Sequence, residues 1–245
     1  METLKEKIKR QLARIIPASI KLFLEQETAH KDIYKFQNKS YSQEGEDLVL
    51  SRFLQDRQKG IYVDIGAHHP MRFSNTYHFY LRGWRGVNID AMPGSMRIFN
   101  EYRPKDINLE IPVYDTNQTL TYYVFSDLAF NTFSKVVATD HIMVNKATLL
   151  HEEKLQTQRL EEILNNHLPK GVKIDFMTID IEGLELPALK SNNWEKYKPE
   201  YLLIEKFIDS MVELQHLEVH QFLTDLSYIL IAKTYNTLIY KKALL

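Results

Sequence analysis

The sequence has no cysteine. Disulfides, thiolate metal centres and a cysteine nucleophile are therefore excluded, and a reducing cytoplasm suits the chain. It has no excess of charge either: 31 basic against 32 acidic residues give a formal net charge of −1. No global field draws it to nucleic acid, and nucleic acid is not an expected partner. No run of about 18 uncharged apolar residues occurs, so no transmembrane helix is expected. The first ten residues are charged and lack an apolar core with a small-residue cleavage site, so they do not read as a signal peptide. The expected location is cytoplasmic.

What is present is ordinary for a globular protein. The chain has 245 residues, 44% hydrophobic and 26% charged. A chain this long buries roughly 70–75% of its unfolded surface and needs no staples. Residues 1–40 read as an N-terminal helical arm and residues 41–245 as one domain. Within the arm, residues 1–27 form an amphipathic pair of helices broken near Pro17, with Leu4, Ile8, Leu12, Ile15 and Ile16 on one face. The other face carries Lys5, Lys9, Arg10 and Arg14. Such a face docks on its own domain or a sister subunit, or lies on an anionic membrane at its inner side.

From Glu44 onward, helical and strand patterns alternate. "GIYVDIG" reads as a strand, residues 74–82 as a helix, "GVNIDA" as a strand, and "PGSMRIFNEY" as a helix with Pro93 in or near its first turn. "DINLEIPVY" and "LTYYVF" are further strands. Residues 126–154 show no clear period. Then come helix "RLEEILNNHL", strand "KIDFMTIDIEG", helix "ELPALKS", strand "EYLLIEKF", and two tail strands joined by a turn at Asn236. This alternation argues for an α/β fold with a parallel sheet covered on both faces. Ligands bind such sheets in the crevice at strand ends, here the loops after Val63, Ile89, Ile179 and Ile204.

Two acids carry the ligand argument. Asp64 ends one predicted strand and is followed by Gly66, which permits close backbone approach. A buried carboxylate needs donors, from a cap or loop amides on the bland reading and from a ligand on the functional one. Asp90 ends the next strand, 26 residues on, where an acid accepts hydrogen bonds from ribose hydroxyls. The G-x-G-x-x-G cradle for a pyrophosphate is missing. Ribose recognition without a phosphate cradle points to S-adenosylmethionine.

The stretches "YSQEGEDLVL", "YVDIGAHHP", "FSNTYHFYLRGWRGVNIDAMPG", "NTFS", "IDFMTIDIEGLELPALKS" and "EYLLIE", in this order over residues 41–206, resemble the FkbM-type methyltransferases. The resemblance implies a class I, Rossmann-like fold with a seven-stranded, mostly parallel sheet. It implies S-adenosylmethionine bound beside Asp64, Gly66, Ala67 and His68, with Asn75 nearby, Asp90 on the ribose, and Ala91 and Met92 flanking the adenine. Asp115 would face the adenine amino group, and Gln43, Glu44 and Gly45 would form a lip over the cofactor. Asp90 stands where the family more often has glutamate, and His68 where it more often has asparagine.

A sugar hydroxyl is barely ionised at neutral pH and needs a base or a metal before it can accept a methyl group. If the strand continues through "TIDIEG", Asp180 and Glu182 project to one side. Asp180, Glu182 and His69 are the catalytic candidates, and Asp180, Glu205 and His69 the candidate ligands of Mg²⁺ or Mn²⁺. The bland alternative makes Glu182 and Glu185 first-turn helix acids. The resemblance thus implies an O-methyltransferase acting on a sugar, a glycan or glycolipid precursor, or a related secondary metabolite. Its rivals are an NAD(P)-dependent oxidoreductase on the same fold and a non-catalytic scaffold that keeps the pocket.

Overall fold

The computed structural model describes Pro17, Ile20, residues 37–55 and residues 57–243. The helix pair expected over residues 1–27 lies outside the described residues, apart from those two positions. The chain divides between Lys39 and Ser40, and the unit described below is Ser40–Leu245.

Its helices are α1 (Glu46–Phe53), α2 (Tyr77–Leu81), α3 (Met96–Tyr102), α4 (Lys135–Met143), α5 (Leu160–His167), α6 (Glu185–Lys190) and α7 (Glu218–Asp225). Its strands are β1 (Ile61–Ile65), β2 (Arg85–Asp90), β3 (Ile107–Glu110), β4 (Thr119–Phe125), β5 (Leu149–Gln156), β6 (Phe176–Ile179), β7 (Tyr201–Glu205), β8 (Tyr228–Lys233) and β9 (Thr237–Lys242). Seven strands make one sheet in the order β3-β2-β1-β6-β7-β9-β8. β1, β2, β3, β6 and β7 are mutually parallel, and β9 runs antiparallel to both β7 and β8. The order reverses between β1 and β6, which opens a crevice at their carboxyl ends.

Burial on both faces explains the near-continuous apolar runs of the central strands. Val63, Ile65, Ile89, Met177, Ile179, Leu202 and Ile204 pack to one side with helices α5 and α6. Tyr62, Phe176, Tyr201 and Leu203 pack to the other with Leu50, Phe79 and Trp84. Trp84, which the sequence allowed in a turn, is fully buried, its ring 5.1 Å from that of Phe79 and 5.9 Å from that of Phe176.

Three boundaries differ from expectation. The helix expected over 74–82 is shortened to Tyr77–Leu81. Ser74 Oγ takes the amides of Thr76 and Tyr77 at 3.3 and 3.1 Å, so a side-chain turn replaces the first helical turn. The helix expected from Pro93 starts at Met96, with Pro93 in the turn just before it. The strand expected over "DINLEIPVY" stops at Glu110, after a last bond to β2 from Ile111 N to Asp90 O at 2.9 Å. The region without a clear period, 126–154, contains a 3₁₀ turn (Leu128–Phe130), then α4, capped by Ser134 Oγ accepting from Val137 N, then β5. β5 pairs with β4 in a separate two-stranded ribbon.

Beneath β1 lies a buried polar knot. Arg103, fully buried, donates to Asp106 Oδ2 (2.9 Å), the Tyr62 hydroxyl (2.7 Å) and Thr76 Oγ1 (2.9 Å). Asp106 also accepts from Tyr62, Gly86 N and Asn88. Removing one partner from such a buried pair strands the other's charge. Arg103→Leu is therefore expected to cost about 3–5 kcal/mol of stability, read as a lower urea midpoint at unchanged slope.

Candidate active site

The site begins where three strands end together. Gly66 follows β1 with φ 81°, and a Cβ there would lie 1.6 Å from the Asp180 carbonyl oxygen. No other residue fits. Gly66 N and Ala67 N both donate to Ile89 O, at 2.9 and 3.0 Å, and Asp180 N donates to Ile65 O at 2.9 Å. The ends of β1, β2 and β6 are thereby locked in register.

Asp90, at the end of β2, accepts from His68 N at Oδ2 (2.9 Å) and from Met92 N at Oδ1 (2.8 Å). Burial raises its pKa and those two amides pull it down. Each oxygen keeps a lone pair, so the carboxylate is held rigidly with acceptors to spare. Asp64 is placed differently. It lies on the opposite face of β1 from Val63 and Ile65, and Thr76 Oγ1 donates to its Oδ2 at 2.6 Å. It does not line the cavity described next. Burial pushes its carboxyl up to about 6 against the opposing pull of Arg103.

A cavity of about 670 Å³ opens at the carboxyl ends of β1, β2, β6 and β7. One wall is Gly66, His68, Asp90, Ala91 and Met92; another is Asp180, Glu182, Gly183 and Glu205. The segment from Asp127 to Lys146 covers it, and Gln43 reaches it from upstream. Glu44 and Gly45 do not line it: Glu44 accepts from Asn236 N at 2.8 Å, and Gly45, at φ 90°, starts α1. Asp115 also lies outside the lining, its carboxylate accepting from Thr116 and its carbonyl from Arg159. Asn75 donates to Thr178 Oγ1 at 3.0 Å and is not in the lining.

The two histidines part company. His68 takes a left-handed φ of 51° and lines the cavity, with burial lowering its pKa. His69 uses Nδ1 to accept from Met71 N (3.1 Å) and Arg72 N (2.9 Å), which shapes the loop. It neither lines the cavity nor joins the carboxylates.

Asp180, Glu182 and Glu205 do converge, each with an oxygen within 4.8 Å of the others'. They do so by another route than a continuing strand. β6 stops at Ile179, and Glu182 sits in a turn at φ 50°. That turn is fixed by Thr132 Oγ1 donating to Glu182 O (3.0 Å) and by Gly183 N donating to Glu185 Oε1 (2.9 Å). Burial and the hydrogen bond with Glu205 hold the Asp180 carboxyl well above its usual range. Burial, then Glu205 and Glu185, push Glu182 up to about 8, with Lys146 opposing.

Two residues at this site had no role in the sequence reading. Thr132 holds the Glu182 turn, and Asn131 accepts from Phe125 N at 2.8 Å while its amide reaches Met92 Sδ at 3.8 Å. Their signal was the "NTFS" stretch in an otherwise unreadable region.

No curated protein matches the chain. Among solved structures, it is similar to an O-methyltransferase from Bacillus cereus in complex with SAH (11% identity, 92% of this chain and 91% of that one covered, TM-score 0.43). It is also similar to a TehB-like SAM-dependent methyltransferase from Corynebacterium glutamicum (11% identity, 89% and 97% covered, TM-score 0.41). A precorrin-6y C5,15-methyltransferase from Geobacter metallireducens is another (13% identity, 84% and 92% covered, TM-score 0.40). The profile of the methyltransferase FkbM domain matches residues 64–230, which span the sheet from the end of β1 into β8 and every wall of the cavity except Gln43 and Asn236. The protein is an S-adenosylmethionine-dependent methyltransferase and belongs to the FkbM methyltransferase family.

Proposed function

We propose that this enzyme methylates a hydroxyl group of a sugar, a glycan or glycolipid precursor, or a related secondary metabolite. The observation that carries the reading is the convergence of Asp180, Glu182 and Glu205 in the same cavity as Gly66 and Asp90. An alcohol needs its proton removed as it attacks, and a carboxylate with a pKa near the working pH is suited to that. Bound S-adenosylmethionine supplies a sulfonium methyl whose carbon–sulfur bond breaks as the acceptor oxygen bonds to carbon. Gly66 and Asp90 fit that group: a backbone approach that no side chain obstructs, and a fixed carboxylate with free lone pairs for ribose hydroxyls. Glu182 takes the hydroxyl proton, and the raised Asp180 carboxyl beside it limits the negative charge that the attacking oxygen meets. The lack of cysteine supports a cytoplasmic site of action. Among the described residues, no helix is long and apolar enough to cross a membrane.

A second reading rests on the same three acids. An all-oxygen donor set of this spacing fits Mg²⁺ or Mn²⁺, which when bound lowers the pKa of the acceptor hydroxyl. On the ion-free reading, the rate rises with pH through about 8 as Glu182 loses its proton, and Glu182→Gln removes that limb and lowers kcat about 10²–10⁴-fold. On the ion-bound reading, the limb is absent, chelation abolishes turnover and added Mg²⁺ restores it. Steady-state rates from pH 6 to about 9.5, with and without chelator, decide between them.

The cofactor side has its own test. Isothermal titration with S-adenosylhomocysteine is expected to give one site, and Asp90→Ala to weaken it at least about tenfold, or ~1.4 kcal/mol. No heat at millimolar ligand would remove the basis of the assignment.

A further inference from the structure

The mouth of the cavity carries a pattern that methyl transfer does not use. Phe73 and Phe207 line the cavity yet remain 43% and 48% exposed, so they stand at its rim. Tyr235, also exposed, packs its ring 5.1 Å from that of Phe207. His141 and Lys146 also line the cavity, and between them in the chain Ile142, Met143 and Val144 are exposed, the last two 74% and 61%. Phe73 holds φ at 58°, a costly backbone for a bulky residue. Strain retained to keep an aromatic ring in water indicates a use for that ring. Soluble proteins scatter exposed apolar side chains singly; Phe73, Phe207 and Tyr235 gathered at one opening mark a surface that something covers.

The charge on this rim indicates what covers it. Arg72 and Lys146 both line the cavity and are exposed. Among the described residues neither forms an ion pair with a carboxylate. Arg72 instead lies over the Phe73 ring, 4.4 Å from its centroid, and Lys146 over Phe130 at 6.0 Å. Asp127, beside the mouth, is occupied in capping the 3₁₀ turn, where it accepts from Ala129 N. Asp140 on α4 is exposed and dilutes the positive charge without pairing either cation. Aliphatic and aromatic side chains beside unpaired Lys and Arg suit the boundary between lipid headgroups and acyl chains, with the cations reaching the phosphates. A second protein copy seated here would seal the opening through which an acceptor enters. A fluid lipid surface covers the rim and still presents acceptors to it.

We propose that this rim rests on an anionic phospholipid surface and that the enzyme takes its acceptor from there, as a lipid-linked hydroxyl compound. This rests on reading the cavity as the methyl-transfer site; the S-adenosylhomocysteine titration tests that reading without lipid, so the two can fail separately.

The experiment is co-sedimentation of the full chain with vesicles of phosphatidylcholine alone or with about 30 mol % phosphatidylglycerol. Binding to the anionic vesicles is expected, at least about tenfold weaker on phosphatidylcholine and at high salt. The double variant Met143→Ser, Val144→Ser is expected to lose binding at least about tenfold while keeping its affinity for S-adenosylhomocysteine. Met143→Trp should add an emission quenched by brominated lipid. Three results overturn the proposal: no binding to anionic vesicles, undiminished binding by the double variant (which assigns the contact to residues 1–27), or a dimer in sedimentation equilibrium that the double variant dissociates.

Discussion

The active site depends on one close approach, that of the backbone after β1 to the carbonyl of Asp180. Hydrogen or nothing fits at the Gly66 α-carbon, and its positive φ would strain any other residue. That contact does two things at once. It lets β1 and β6 lie side by side up to their last residues, and it brings the β1 loop, with His68 and the amide that binds Asp90, against the acids that follow β6. The cavity wall that holds Asp90 and the wall that holds Asp180 share one backbone junction, so neither can shift without the other.

The second constraint is electrostatic. Asp180, Glu182 and Glu205 are crowded at a desolvated sheet end, with Glu185 close behind. No cation pairs with them among the described residues. Burial and this crowding hold the carboxyls of Asp180 and Glu182 above their usual range. Asp64, by contrast, is buried against Thr76 and the Arg103 network, and its charge is answered by the fold itself. Two acids with the same sequence signature, each ending an apolar strand, are thus placed differently: Asp90 faces the cavity and Asp64 turns to Thr76 on the other side of the sheet.

That contrast marks how far the sequence could be read. The alternation of apolar runs and helical stripes was sufficient for the sheet, because burial on both faces writes strands such as "IYVDI" and "YLLIE" as unbroken hydrophobic stretches. The two tail strands were legible as a hairpin, while the single antiparallel strand of the seven-stranded sheet came from the family resemblance. What was illegible depended on side-chain direction and on turns. Period-two alternation could not reveal that Asp64 would bond to Thr76, nor that β6 would stop and a left-handed Glu182 would bring the acids together. His69 looked like a base but serves the loop, because its Nδ1 is taken up by the amides of Met71 and Arg72. The cover over the cavity was hidden in 126–154, where a short helix exposed on most sides and a polar ribbon carry no period to detect.

The clasp between α1 and the tail hairpin sets an order of assembly. Glu44 accepts from Asn236 N, and Glu46 accepts from the Thr234 hydroxyl, both at 2.8 Å, so the segment bearing Gln43 is fastened by residues nearly 200 positions downstream. On the ribosome, every other wall of the pocket is synthesised before this latch exists. A nascent chain therefore carries an unfastened Gln43 wall until Thr234 and Asn236 have emerged, and the latch closes only then.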